Sequence, residues 1–94
     1  MLREPEFFGD QKLTLIYMAK RLREARVVEQ VLDAGLIDYA VLPEHYTGGF
    51  FFSSRHVGAF FYVSPQVETQ ARALLFAQGF IPVNETPRAD AEES

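Results

Sequence analysis

The chain has 94 residues, 48% hydrophobic and 14% aromatic, with nine Phe, no Trp, no Cys and a formal net charge of −4. That length suits one domain with one core, and a chain without cysteine has neither a disulfide framework nor thiolate chemistry. Net acidity argues against a generic polyanion binder, and the longest apolar runs fall short of a membrane-spanning helix.

The first residues, "MLREPEFFGD", lack a basic start followed by an apolar core, so the sequence predicts a cytoplasmic protein with no membrane partner. Residues 1–11 read as an arm packed by Phe7 and Phe8. Lys12–Ala19, "KLTLIYMA", is rich in β-branched and apolar residues and predicts a strand. The next segment changes period: Ala25, Val28, Val31 and Leu32 recur at helical spacing, with polar residues between them. Gly35 follows where a left-handed cap would close the helix. Ile37–Leu42 predicts a second strand, ended by Pro43, and Glu44–Val57 a long loop. Gly58–Val63 predicts a third strand. Ser64 and Pro65 then suit the cap and first position of a second helix, whose stripe is Val67, Ala71, Leu74 and Leu75. Gly79 caps that helix. Phe80–Val83 predicts a short last strand, which Pro82 confines to a sheet edge. Residues 84–94 are polar and acidic, the composition of a disordered tail.

Leu15, Leu32 and Gly35 recur at one fixed offset as Ala59, Phe76 and Gly79. Each half is a β-α-β unit, and two such units joined by a hairpin give an α+β, ferredoxin-like split β-α-β domain over residues 12–83. The expected order is βαββαβ, a four-stranded antiparallel sheet with both helices on one face and strands one and three central.

Particular residues carry a family resemblance: Glu24 and Ala25 opening the first helix, "LDAG" (Leu32, Ala34, Gly35) closing it, Val63 and Pro65, and Ala71, Leu74 and Leu75 in "ARALL". Over about residues 13–83 the chain resembles a small bacterial domain family described as signal-transducing proteins of unknown function. That family is ferredoxin-like and related to the PII signalling proteins. The resemblance implies a regulatory or binding role and carries over no catalytic residue. The loop "EHYTGGFFFSSRHV" departs from it, being long and aromatic where the family's is short and polar.

Three groups of residues are candidates for function. Lys20, Arg21 and Arg23, with Arg26 beside them, cluster at the start of the first helix and could grip a small anionic ligand. The plainer reading is a solvated face, with Arg23 or Arg26 paired to Glu29, Asp33 or the acidic tail. Glu44, His45, Tyr46, Arg55 and His56 flank the aromatic loop; the histidines form no compact ligand motif, so no metal and no cofactor is expected. The third group is aromatic and apolar: Phe50, Phe51 and Phe52 in the loop, with Phe60, Tyr62, Ile16 and Met18 on one sheet face. Alternation assigns Leu13, Leu15, Tyr17, Ala59, Phe61 and Val63 to the other face. An uncovered apolar face calls for a partner.

The sequence therefore predicts a non-enzymatic regulatory or protein-interaction module with no catalytic residues, a homo-oligomer or partner of another protein through its sheet face and hairpin. A dimeric, cofactor-independent α+β enzyme with an aromatic pocket, using His45, His56 or Tyr46, is the alternative. "RHVGAFFYV" has some likeness to the aromatic strand of RNA-recognition domains, but the scarcity of cations makes nucleic acid a minor reading.

Overall fold

The computed structural model of the chain describes residues 1–48 and 54–82, with side chains described at 1–44 and 57–82. Its elements run β1 (Thr14–Ala19), α1 (Leu22–Ala34), β2 (Ala40–Gly48), β3 (Ser54–Val63) and α2 (Glu68–Ala77). Short 3₁₀ turns at Pro5–Phe8 and Pro65–Val67 precede β1 and α2. The strands form an antiparallel sheet in the order β1-β3-β2, so the domain is α+β with a three-stranded sheet and two helices. No helix is long and apolar enough to cross a membrane among the described residues.

Both helical stripes close over the same side of the sheet. Ala25, Val28 and Leu32 of α1 join Ala71 and Leu75 of α2 in one buried cluster with Ile16, Ala19, Phe61 and Val63 of the strands. Alternation along β3 explains why Phe61 and Val63 share this side, with Ala59 packed against it. In β1 the alternation breaks. Leu15 pairs with Tyr62 but Tyr17 pairs with Phe61, so Ile16 is an extra residue at a bulge. The bulge lets Ile16 and Tyr17 both serve the helix side, Ile16 being fully buried there. Leu15 in turn joins the row of Tyr62, so the expected assignment of Ile16 and Leu15 to their faces is reversed. Arg72 of α2 reaches this bulge, donating from Nη2 to the Leu15 carbonyl at 3.3 Å while its Nε meets Glu68 at 2.9 Å.

The strand limits differ from expectation in an informative way. β2 passes through Pro43 to Gly48, and β3 starts at Ser54, before the expected Gly58. Pro43 is accommodated because β2 lies at the sheet edge, where a missing backbone N–H breaks no ladder. Much of the expected loop is thus paired ribbon.

The helix ends also depart from the simple capping rule. Gly35 has φ −88°, and the positive φ falls on the next residue, Leu36, at 59°. What Gly35 supplies is room: a Cβ there would collide with Leu74 Cδ1 across the α1–α2 contact. Gly79 does take the left-handed region, at φ 90°. Ser64 caps the 3₁₀ turn and not α2, its carbonyl accepting from Val67 N at 3.1 Å. The internal correspondence fails at its core position, since Leu32 is buried whereas Phe76 is 71% exposed; Leu75 does the packing in α2.

The face away from the helices is partly closed by the N-terminal arm. Leu2 makes a parallel bridge to Tyr39, and Arg3 N donates to the Tyr39 carbonyl at 2.8 Å, placing the arm beside the start of β2. From that edge it must travel to β1 at the other. Phe8, Leu15 and Ala40 are buried yet stand outside the helix-side core, and register puts Leu15, Tyr62 and Ala40 in one row. Phe8 is the arm's buried ring; Phe7 meets it edge-on at 5.1 Å and stays exposed under the Arg3 guanidinium.

Two stability measurements check this packing. Leu32→Ala and Leu75→Ala are each expected to cost about 2–5 kcal/mol in denaturant unfolding, the range for a truncated core leucine. Gly35→Ala is expected to cost about 0.5–1.5 kcal/mol, the cost of turning the half-buried Leu74 side chain away from its preferred rotamer. That cost should shrink in a Leu74→Ala background; additivity of the two changes would point to a backbone cause instead.

Candidate interaction surfaces

β2 and β3 stay paired from Ala40↔Tyr62 to Gly48↔Ser54, whereas β1 pairs with β3 only as far as Ala19↔Ala59. Beyond Ala59 the two strands continue as a ribbon without β1. The chain leaves β1 at Ala19 and enters α1 at Leu22, which sets the first helical turn at the base of this ribbon. Between them lies a groove of about 260 Å³ walled by Leu22, Ala25, Val41, Pro43, Val57 and Ala59. Leu22 is 69% and Val57 57% exposed, two of several exposed apolar side chains that include Leu36 at 80% and Ile81 at 78%. Lys20 and Arg21 border the same groove.

The cationic cluster is exposed throughout: Lys20, Arg21, Arg23 and Arg26 all lie at the surface. Arg21 is the extended N-cap residue of α1 and makes no side-chain cap. Glu24 instead reaches back to the residue before the cap, its Oε1 accepting from the Lys20 backbone N–H at 3.2 Å while Oε2 accepts from the Tyr17 hydroxyl. This is close to a capping box, with the acid reaching back over the first turn. Cations at this end oppose the helix dipole, at about 0.3–1 kcal/mol each. The expected pairing with Glu29 or Asp33 is not formed; Arg21, Arg23 and Arg26 make no ion pair among the described residues. Nor do they converge. Arg21 and Arg23 border a second depression with Val27 and Phe80, and Arg23 and Arg26 a third with Leu22.

On the sheet face away from the helices, Met18, Phe60 and Leu42 form one row across the three strands, next to the row of Leu15, Tyr62 and Ala40. Met18, Phe60, Leu42 and Tyr62 are half-buried. The Tyr62 hydroxyl donates to Glu44 Oε2 at 2.9 Å, laying a carboxylate along this face. Ile16, expected here, belongs to the helix-side core. Phe50, Phe51 and Phe52 lie outside the described residues. His45 pairs with Val57 and His56 with Tyr46 along the ribbon.

The groove is the feature that residue-by-residue reading missed. Its walls come from three separate segments, and only the continued β2–β3 pairing brings Val57 to the same groove as Leu22. One signal was present: apolar and β-branched residues flank Gly48 and Gly49 on both sides, as in a hairpin.

Comparison with family models, with curated proteins and with solved structures finds no match to this chain.

Three tyrosines share one arrangement, a ring in the fold and a hydroxyl on a carboxylate: Tyr17 on Glu24, Tyr39 on Asp33 and Tyr62 on Glu44. Burial, then the hydrogen bond, then the carboxylate's charge push Tyr17 and Tyr62 up to about 12, and Tyr39 higher still. Because the folded values lie above the unfolded value of about 10, this contribution is complete below pH 10 and is lost as pH rises toward about 12. An alkaline tyrosinate absorbance titration, run beside denaturant unfolding, should show late ionisation and falling stability over that window. Ionisation of these tyrosines near their ordinary value with constant stability would contradict it.

Proposed function

We propose that the chain is a regulatory or protein-interaction module of ferredoxin-like fold and not an enzyme, acting as a homo-oligomer or with a protein partner. The observation that carries this is the β2–β3 ribbon, which extends past the body of the domain and holds exposed aliphatic side chains at its base. A lone two-stranded ribbon is of marginal stability in water and gains from a cover.

The path of the last described residues favours the ferredoxin-like arrangement. Phe80 packs edge-on against Tyr17 at 5.5 Å, and Ile81 and Pro82 share a depression with Arg72, whose guanidinium reaches the Leu15 carbonyl. These contacts support a path of the chain beside β1, where an antiparallel fourth strand would complete the sheet. The resemblance to the signal-transducing family agrees with this fold and with a binding role.

The other readings have less behind them. An enzyme needs convergent polar groups in a pocket, and the walls of the groove are aliphatic. Nucleic acid stacked on Phe60 and Tyr62 would meet the Glu44 carboxylate on the same face. A small anionic ligand at Lys20, Arg21 and Arg23 is the second reading, favoured by the absence of ion pairs at Arg21 and Arg23 among the described residues. Against it stands Glu24, whose carboxylate already accepts from the Lys20 N–H.

Self-association tests the proposal. Phe50, Phe51 and Phe52, with Phe60, Tyr62 and Met18, are the residues proposed to be covered, and each fully buried Phe would contribute roughly 1.5–3 kcal/mol. Sedimentation velocity over a concentration series should show reversible association of the native chain, weakened in Phe50→Ser/Phe52→Ser while the circular dichroism stays native. A native chain that remains monomeric throughout contradicts the homo-oligomer.

A further inference from the structure

The groove at the base of the ribbon has a chemistry of its own, and resting on the reading of the chain as an interaction module we infer that it docks an acidic peptide segment of a partner protein. An apolar side chain of that segment enters between Leu22 and Val57, and its carboxylates lie over Arg21, Arg23 and Arg26.

Five observations favour this occupant. The groove, about 260 Å³, is smaller than the roughly 300–1,000 Å³ of pockets that enclose a whole small ligand, and suits one or two side chains. Its walls are aliphatic, so they offer a base nothing to stack on and an aliphatic side chain a matching surface. The charge beside it is positive and available: Arg21, Arg23 and Arg26 make no ion pair among the described residues, although the whole chain is acidic at −4. These arginines also spread along α1 over roughly 7 Å at 1.5 Å rise per residue, and they border different depressions. Arginines bordering different depressions suit successive carboxylates of a peptide better than one small anion. Leu22 is the point where the apolar and cationic features join, bordering both the groove and the depression of Arg23 and Arg26.

A displayed library of random short peptides, selected on the full immobilised chain, supplies an unbiased probe. Enriched peptides should combine Asp or Glu with Leu, Ile, Val or Met. Titrated into isotope-labelled chain, they should shift amides at 19–25, 41–44 and 57–59. Arg21→Glu/Arg23→Glu and Leu22→Ser/Val57→Ser should each weaken binding by about tenfold or more, the usual loss at an interface anchor. Phe76→Ser, at an exposed ring elsewhere, should leave affinity unchanged and serves as the control. Absence of enrichment, a consensus lacking either chemistry, or shifts confined to other residues overturns the inference. So does binding to phosphatidylserine–phosphatidylcholine vesicles in place of peptides, which would assign the surface to a membrane. Self-association abolished by Leu22→Ser/Val57→Ser would assign it to a second copy and also overturns it. Failed peptide selection with retained self-association refutes this inference alone; failure of both refutes the interaction-module reading beneath it.

Discussion

A sheet has two faces, and this domain spends both of its helices on one of them. Val28, Leu32, Ala71 and Leu75 close over Ile16, Phe61 and Val63, and the alternation of β3 then sends Phe60 and Tyr62 to the opposite side. Much of what is distinctive in the chain responds to that second face. The arm brings Phe8 into the fold, the bulge withdraws Ile16 to the helix side, and Glu44 sets a carboxylate against the Tyr62 hydroxyl. Each device removes apolar surface from water or makes the remaining surface less uniformly apolar. Beyond Ala59 β3 pairs with β2 alone, and the ribbon continues to Gly48↔Ser54.

The same limit on β1 creates the groove. α1 starts immediately after β1, so its first turn stands where the sheet narrows from three strands to two. Leu22 and Val57 remain exposed there, and neither is drawn into the helix-side core. The cations of α1 fall at the same place, against the helix dipole. Glu24 accepts from the Lys20 N–H just before the helix, and the arginines border neighbouring depressions.

The order β1, α1, β2, β3, α2 was legible in the sequence because each period, two or 3.6, repeats over enough residues to be counted, whereas Phe80–Pro82, expected to open a fourth strand, form none. Ala25, Val28, Leu32, Ala71, Leu74 and Leu75 were expected to share the core; all are buried except Leu74, which packs half-buried against it. Three things were not legible. A bulge adds one residue without changing composition, so nothing in "KLTLIYMA" marks Ile16 as the extra one. Gly35 looks like a left-handed cap, but its role depends on Leu74 from the other helix, a contact the local sequence does not contain. Pro43 reads as a strand end, yet at a sheet edge the strand continues through it. Of the functional surface, the basic cluster stood out as a run of charges. The aliphatic walls did not, because Leu22, Val41, Pro43 and Val57 become neighbours only when the ribbon is paired in register.

A surface held for a partner where the start of α1 meets the ribbon would contribute little to the fold. Equilibrium denaturation of the monomeric Leu22→Ser/Val57→Ser chain tests it most directly. If the two side chains are surface groups, stability should stay within about 0.5 kcal/mol of the native chain, as for substitutions away from packed features. A loss of about 2 kcal/mol or more, the cost of truncating buried aliphatic groups, would make them part of the core and contradict the claim.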